Sequence, residues 1–256
     1  MQRRALLALV SLIAARPALA AEPRPTFAAE PRPTLAAELS VLSAGAVEPG
    51  LEAAIASFRA ATGQAVRTVY ATAPQLRERI TAGEAPDILV APLALLGELG
   101  ARLAGPVVPL GKVGVGVAVR QGAPEPTIRD AETLRGAVEQ ADALVFNRAS
   151  TGLYMDRLFE RLGLTATVTP KAHRYPTGAA VMEHLLHGNG REIGFGAITE
   201  IKLVPALRYL GPLPAGLQNT TAYGAAALPG GAGTELLRWL AGPEARRALD
   251  AAGIEG

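Results

Sequence analysis

The sequence contains no cysteine. This absence excludes disulfides, thiolate metal sites and a cysteine nucleophile, and it leaves no residue to carry a lipoprotein anchor. Aromatic residues make up only 4% of the chain and charged residues 19%, against 49% hydrophobic residues. Such a composition is typical of a compact globular protein rather than a disordered one. Beyond the first segment, no apolar run is long enough for a membrane helix.

The first twenty residues, "MQRRALLALVSLIAARPALA", have the pattern of a secretory signal peptide. Arg3 and Arg4 precede an apolar run over 5–15, and Ala-Leu-Ala at 18–20 is a small-x-small cleavage pattern. Removing residues 1–20 takes away three arginines and no acid, so 25 basic and 23 acidic residues become 22 and 23. The net charge of +2 therefore becomes −1, and no nucleic-acid partner is expected. We expect a protein exported to a bacterial periplasm.

From Leu39 onward, short apolar runs alternate with segments of helical periodicity. Strand-like runs such as "LSVLS", "AVRTVY" and "DILVAP" are separated by helical patterns such as "PGLEAAIASFRAATG" and "PQLRERITAG". At the end of the chain, "GTELLRWLAGPEARRALDAAG" reads as helical. This alternation predicts an α/β fold built on mainly parallel sheets flanked by helices. Parallel sheets bind their ligands beyond the carboxyl ends of the strands.

Two lobes are predicted, joined by hinge strands. Residues 113–119 and 222–228 are strand-like but interrupted by Gly and Ala, as strands that cross between lobes can be. The predicted division is a signal peptide at 1–20, a Pro-rich flexible segment at 21–38 with a duplicated "AEPRPT", lobe 1 at 39–112 and 222–256, and lobe 2 at 113–221.

No catalytic motif is present in the sequence. It has no G-x-S-x-G, no H-E-x-x-H, no Walker loop and no G-x-G-x-x-G that opens a helix. His184 and His187 lie three residues apart beside Glu183, but a zinc site normally needs three or four ligands. We therefore expect neither an enzyme nor a cofactor or metal. A metal-assisted hydrolase using His184 and His187 is the competing hypothesis.

Small-residue loops follow several strands, and each precedes a helix. They are "SAGAVEPG", "YATAPQ", "NRASTGLY" and "YPTGAAV". Helix N-termini carry unpaired N–H groups and a partial positive charge, so together these loops predict an anion-binding cleft.

These blocks resemble those of a known family. The order "LSVLSAGAVEPGL", "YATAPQLRERITAGEAPDILVAP", "STGLY" and "EIGFGAI" is similar to the periplasmic molybdate-binding proteins of ABC importers, which have the type II solute-binding fold. The resemblance covers nearly the whole chain from Leu39. It implies a protein that captures a small anion, molybdate or tungstate first by name, and delivers it to an ABC-type membrane permease. We expect a monomer.

The resemblance also implies the ligand-binding residues. In that family neutral donors hold the oxyanion, and here three hydroxyl positions fall on Ala46, on Ala73 or Pro74, and on Ala197. A small organic acid is therefore the alternative ligand, with Arg148 as a carboxylate partner, and a ligand sensor is an alternative role. The predicted site consists of Ser43, Ala44, Gly45, Ala46, Ala71, Thr72, Ala73, Arg148, Ser150, Thr151, Gly152, Tyr154, Gly178 and Ala179.

Overall fold

A computed structural model describes residues 38–256. The predicted signal peptide and residues 21–37 of the Pro-rich segment lie outside this range. The first half comprises β1 (Leu39–Ala44), α1 (Glu48–Thr62), β2 (Val66–Ala71), α2 (Ala73–Thr81), β3 (Ile88–Pro92), α3 (Leu93–Glu98), β4 (Ala104–Arg120) and α4 (Ala131–Gln140). The second comprises β5 (Ala143–Asn147), α5 (Ser150–Arg161), α6 (Thr165–Val168), β6 (Ala172–Tyr175), α7 (Gly178–His187), β7 (Glu192–Ala197), α8 (Ile198–Lys202), β8 (Leu207–Pro212), β9 (Thr220–Ala227), α9 (Thr234–Leu240) and α10 (Pro243–Ala251).

The strands form one mixed sheet in the order β2-β1-β3-β9-β4-β7-β5-β6, with β8 paired to β4. Parallel pairs join β1 to β2 and β3, and β5 to β6 and β7. Strands β9 and β4 run antiparallel to their neighbours and connect the two parallel sets. The α/β fold predicted from the alternating pattern is confirmed.

Strand β4 is seventeen residues long and contributes to both halves of the sheet. Its first part pairs with β9 as far as Gly114, and its last part pairs with β7 and β8 from Val115 onward. The glycine-rich "KVGVGVAV" therefore lies where the chain passes from one parallel set to the other.

Separate hydrophobic cores lie on the two halves of the sheet. The first core packs α1, α2, α9 and α10 on β1, β3 and β9, and Phe58 meets Trp239 edge-on with ring centroids 5.8 Å apart. The second core packs α4 and α5 on β5 and β7, and a further cluster in the same half packs α7 on β5. There Phe159 lies edge-on to both Phe146 and Phe195. We call these halves the first and second lobes.

The structure differs from the sequence-based prediction in three respects. The C-terminal helical segment is two helices, because Pro243 cannot continue α9 and instead begins α10. Strand β4 begins well before residue 113, the start of the predicted strand-like stretch. Strands β6 and β8 and the short helices α3, α6 and α8 were not predicted. No helix within residues 38–256 is long and apolar enough to cross a membrane.

Candidate functional site

A cavity of about 220 Å³ opens between the two lobes, at the carboxyl ends of β1, β2, β5 and β7. The loops that follow these strands and the first turns of α2, α5 and α7 form its walls. Ten of the fourteen predicted site residues line it, namely Ala44, Gly45, Ala46, Ala71, Thr72, Ala73, Ser150, Thr151, Gly178 and Ala179. The fold thus brings the four predicted loops to one cleft.

The other four predicted residues do not line the cavity. The hydroxyl of Ser43 is buried and donates to the carbonyl of Ala44, 3.1 Å away. The side chain of Arg148 is exposed to solvent outside the lining. Tyr154 is buried in the second core, where its hydroxyl donates to the carbonyl of Leu217 at 2.6 Å.

The fourth, Gly152, supports the cleft from behind. Its N–H donates to Oδ1 of buried Asn147 at 2.9 Å, and the N–H of Ala149 donates to the same oxygen at 3.0 Å. A Cβ at position 152 would overlap the carbonyl oxygen of Asn147. Glycine therefore allows α5 to start directly against the end of β5.

Free backbone donors face the cavity at two helix starts. In α5, the N–H groups of Ser150 and Thr151 have no protein acceptor within residues 38–256, and the same holds for Gly178 and Ala179 in α7. The next N–H of α7, that of Ala180, is taken by the side chain of Thr177. The unpaired N–H groups of two helices thus converge on one space, an arrangement suited to an anionic ligand.

Thr72 has the hydroxyl nearest to Ala73 and Pro74, where the molybdate-binding proteins have their second hydroxyl donor. This hydroxyl already makes a hydrogen bond. Thr72 donates from Oγ1 to Oε1 of Gln75 at 2.9 Å, and Gln75 also accepts from the backbone N–H of Thr72. These bonds cap the start of α2. The hydroxyl of Thr72 therefore offers a ligand its oxygen rather than its hydrogen.

Nine residues that line the cavity were not in the predicted site. They are Glu48, Tyr70, Pro92, Asn147, Ala149, Thr177, Ala197, Glu200 and Tyr223. Glu200 follows strand β7 and stands three residues after Ala197, the spacing of a helix N-cap and its N3 glutamate. This spacing is the feature of the sequence from which Glu200 could have been identified.

Glu200 lies at the meeting point of the two lobes. Helix α8 is fixed there because the hydroxyl of buried Thr199 donates to the carbonyl of Ala46 at 2.5 Å. A Cβ at Gly178 would overlap both carboxylate oxygens of Glu200, and one at Gly45 would lie 3.4 Å from Oε1. The carboxyl group therefore lies where a side chain at Gly178 would stand, whereas a Cβ at Gly45 would only touch it.

The environment of Glu200 favours its protonated form. Burial raises its pKa to about 7, although a hydrogen bond from the backbone of Ala197 lowers it and the nearby charge of Glu48 raises it further. Burial, together with the charge of Glu52, also raises the pKa of Glu48. No lysine, arginine or histidine is among the lining residues, all of which fall in the described range. Near neutral pH, Glu200 is therefore present as both carboxylic acid and carboxylate.

Two tyrosines complete the lining. The hydroxyl of Tyr70 donates to Oε1 of Glu52 at 2.7 Å. Tyr223, on strand β9, is almost fully buried, and burial together with the charge of Glu200 raises its pKa. Both phenols therefore remain protonated at physiological pH. The hydrogen of Tyr70 is already donated to Glu52, whereas the hydroxyl of Tyr223 can act as a neutral hydrogen-bond donor.

The histidines are not part of this cavity. His184 pairs through Nδ1 with the hydroxyl of Tyr175 at 2.6 Å, whereas Nδ1 of His187 lies 3.0 Å from the carbonyl of Glu183 on its own helix. Within residues 38–256, no group of three or more His, Cys, Asp or Glu side chains is arranged to hold a metal ion.

Comparison with known protein families identifies the family of this chain. The sequence pattern of the family described as "Bacterial extracellular solute-binding protein" matches residues 39–255. The chain belongs to this family. This solute-binding protein therefore has a small solute as its ligand, and its family is extracellular.

Individual proteins similar to this chain are named for different small molecules. An aconitate isomerase from Pseudomonas sp. is 28% identical over 95% of this chain and 93% of its own. The periplasmic molybdate-binding protein of Azotobacter vinelandii has a TM-score of 0.69 at 18% identity, covering 84% of this chain and 97% of its own. PEB3 of Campylobacter jejuni bound to L-phospholactate has a TM-score of 0.66 at 14% identity, covering 85% and 99%. These structures show the type II periplasmic-binding fold.

Proposed function

We propose that this solute-binding protein captures a small carboxylic acid in the periplasm and delivers it to an ABC-type membrane permease. The carrying observation is the chemistry of the cavity lining, which combines unpaired backbone N–H groups with the carboxyls of Glu48 and Glu200 and no cationic side chain. Backbone N–H groups at helix starts bind carboxylates. Protonated Glu200 can donate one further hydrogen bond to a ligand carboxylate.

Cavity size agrees with this ligand class. A volume of about 220 Å³ corresponds to roughly seven water molecules, each with a share of about 30 Å³ in the liquid. It therefore admits a small acid with two or three carboxylates. The full-length relative at 28% identity is named for aconitate, a tricarboxylic acid, and PEB3 holds L-phospholactate within the same fold.

Molybdate or tungstate, implied by the sequence resemblance, is the second candidate. The A. vinelandii protein has the same fold. Against it, Ala46, Ala73 and Ala197 bring no hydroxyl to the cavity, and each missing hydrogen bond to a charged ligand weakens binding by about 1.5–3 kcal/mol.

We further propose that the lobes close on the ligand. With lobe 1 at 39–112 and 222–256 and lobe 2 at 113–221, the ligand would touch Gly45 and Thr72 from one lobe and Thr151 and Gly178 from the other. Contacts to both lobes favour the closed state. Strands β4 and β9 pair across the junction at Lys112 and Ala222 and would carry the hinge.

Calorimetric titration of the purified protein with trans-aconitate, citrate, molybdate and sulfate tests the ligand class. We expect saturable binding of at least one tricarboxylate, in the micromolar range of about −8 kcal/mol, and weaker or no binding of the oxyanions. Tight binding of molybdate without binding of either tricarboxylate would overturn the proposal in favour of the oxyanion.

A further inference from the structure

The cleft presents hydrogen-bond donors and hydrogen-bond acceptors from different elements. The starts of α5 and α7 supply unpaired backbone N–H groups. The carboxyls of Glu48 and Glu200 supply acceptor oxygens, and so does the hydroxyl of Thr72, whose hydrogen is donated to Gln75. A ligand that consists only of carboxylates satisfies the N–H groups, but it brings no hydrogen atom for the acceptors.

The two carboxyls have few partners in the protein itself. Among the described residues neither Glu48 nor Glu200 makes a salt bridge, and the hydroxyl of Tyr70 donates to Glu52 instead. Glu200 accepts a hydrogen bond from the backbone of Ala197, whereas an ionised carboxyl group has about four acceptor positions. Covering such a group without a donor costs free energy. A ligand that fills the cavity is therefore expected to supply a donor.

Two features of the cleft favour a neutral donor over an ammonium group. The starts of α5 and α7 bring the partial positive charge of two helix N-termini to the same space, which opposes a cation. Glu200 is present near neutral pH as both carboxylic acid and carboxylate. A hydroxyl group can accept a hydrogen bond from the first form and donate one to the second, whereas an ammonium group can only donate.

The position of Glu200 indicates where on the ligand this donor lies. A Cβ at Gly178 would overlap both carboxylate oxygens of Glu200, so the carboxyl lies beside the first residue of α7. A ligand carboxylate bound at the start of α7 has its neighbouring carbon close to Glu200. A hydroxyl group on that carbon is the one best placed to reach the carboxyl.

We propose that the ligand is a hydroxycarboxylic acid with its hydroxyl on the carbon next to a carboxylate, and that Glu200 selects for this hydroxyl group. The inference rests on the proposed binding of small carboxylic acids and narrows that class. An acid without the hydroxyl would occupy the same N–H groups but would leave the carboxyl of Glu200 without a partner.

Calorimetric titration with pairs of acids that differ by one hydroxyl group tests the inference. Citrate is compared with tricarballylate, and malate with succinate. We expect the wild-type protein to bind the hydroxy acid at least about tenfold more tightly in each pair that binds, since a site built to pair with a hydroxyl rejects the analogue that lacks it.

The variant Glu200→Met tests the residue. It keeps a long unbranched side chain but removes both oxygens, so the ratio of affinities within a pair is expected to fall to about threefold or less. The ratio is the readout because a variant that only loosens the cleft weakens both acids of a pair. Glu160→Met, at an exposed position of α5 outside the cavity lining, is the matched control and is expected to keep the wild-type ratio.

A second variant covers the case in which Glu200→Met does not fold. Gly178→Ala keeps the backbone N–H groups of α7, but its Cβ would displace the carboxyl of Glu200, the flexible end of a side chain. The preference for the hydroxy acid is expected to fall in this variant as well. An unchanged ratio in Glu200→Met, or in Gly178→Ala when the first variant does not fold, removes Glu200 from the role.

The titrations also separate this inference from the proposed function. Wild-type protein that binds both acids of a pair equally, or trans-aconitate more tightly than citrate, overturns the hydroxyl preference and leaves the binding of carboxylic acids intact. Tighter binding of aspartate than of malate would assign the donor to an ammonium group and would also overturn the inference. If none of these acids binds, the proposed function itself is wrong.

Discussion

At the scale of single residues, the cleft depends on glycines as much as on functional groups. Gly178 has little conformational role as the first residue of α7, yet a Cβ there would overlap the carboxyl of Glu200 in its present position. Gly152 has the same relation to the carbonyl of Asn147. Small residues that the sequence suggests as ligand contacts therefore also shape the groups behind the ligand.

Proton uptake on binding is expected from Glu200. Its pKa is about 7 in the free protein, and a neighbouring anionic ligand raises it further. Below that pH Glu200 is protonated with and without ligand, so affinity should be constant. Above it, binding takes up a proton and affinity should fall by about tenfold per pH unit until the pKa of the bound state is reached.

Calorimetry at about pH 8 in two buffers of different ionisation enthalpy measures this uptake. The apparent enthalpy should differ between the buffers for the wild type, and the difference should shrink in Glu200→Gln. A difference of unchanged size in that variant would assign the proton to another group, and Glu48 would be the first to examine.

The hydroxyl of Thr151 provides a second test at this scale. Thr151→Val keeps the shape and the backbone N–H but removes the hydroxyl of a residue that lines the cavity. We expect affinity to fall by about tenfold, since a hydrogen bond to a charged group contributes roughly 1.5 kcal/mol or more, with little change in thermal stability. Thr165→Val, at the exposed start of α6, is the control. Equal affinity in both variants would make Thr151 an ordinary helix-start residue.

At the scale of elements, the start of α5 is determined by how closely it approaches β5. Gly152→Ala would press a methyl group into the carbonyl oxygen of Asn147, and overpacking of this kind costs about 1–3 kcal/mol. Gly136 of α4 has no atom within 4 Å of its Cβ position. Gly136→Ala should therefore stabilise the protein by about 0.5–1 kcal/mol. Urea denaturation would show opposite shifts, and shifts of the same sign would contradict the packing described for Asn147.

Element order was largely predictable because alternating apolar runs and helical periods recur along the chain. Glycine at Gly63, with φ of 71°, ends α1 where the pattern predicts. The four-residue strand β6, "AHRY", was missed because it carries two polar residues and is only partly buried. Helix α8 was missed because five residues are too few to show a period.

The candidate site was predictable as a set of loops but not as chemistry. The N-terminal turns of α5 and α7 follow from small residues after strands, and the structure brings them to one cavity. Arg148 shares a loop with Ser150 yet is exposed to solvent outside the lining. The proximity of Glu200 to Gly178 depends on the tertiary packing of α8 against α7, which local sequence does not encode.

At the scale of the whole molecule, the first core contains residues from β1 and α1 together with residues from α9, α10 and the segment that follows α10. Ile254 is fully buried in the first core, and the backbones of Lys112 and Glu255 exchange two hydrogen bonds. Arg246 of α10 adds a hydrogen bond to the carbonyl of Leu110 on β4 at 2.6 Å. The last residues thus tie α10 to the strand that crosses between the lobes.

Ile254→Ala is expected to lower the free energy of unfolding by about 2–5 kcal/mol, as truncation of a buried aliphatic side chain does. Leu203→Ala, where the side chain is 49% exposed, is the comparison and should change it little. Chemical denaturation of the two variants side by side measures the difference. Similar values would mean that the C-terminal residues contribute no core packing.

The late closure of the first core also bears on biosynthesis. Helices α9 and α10 and Ile254 pack on α1 and β4. Both elements precede them by more than a hundred residues in the chain. During translation the first lobe must wait for the final residues before its apolar surface is covered. A chain whose first core is still incomplete has not reached its native fold, which is compatible with the export of a member of an extracellular family before folding is complete.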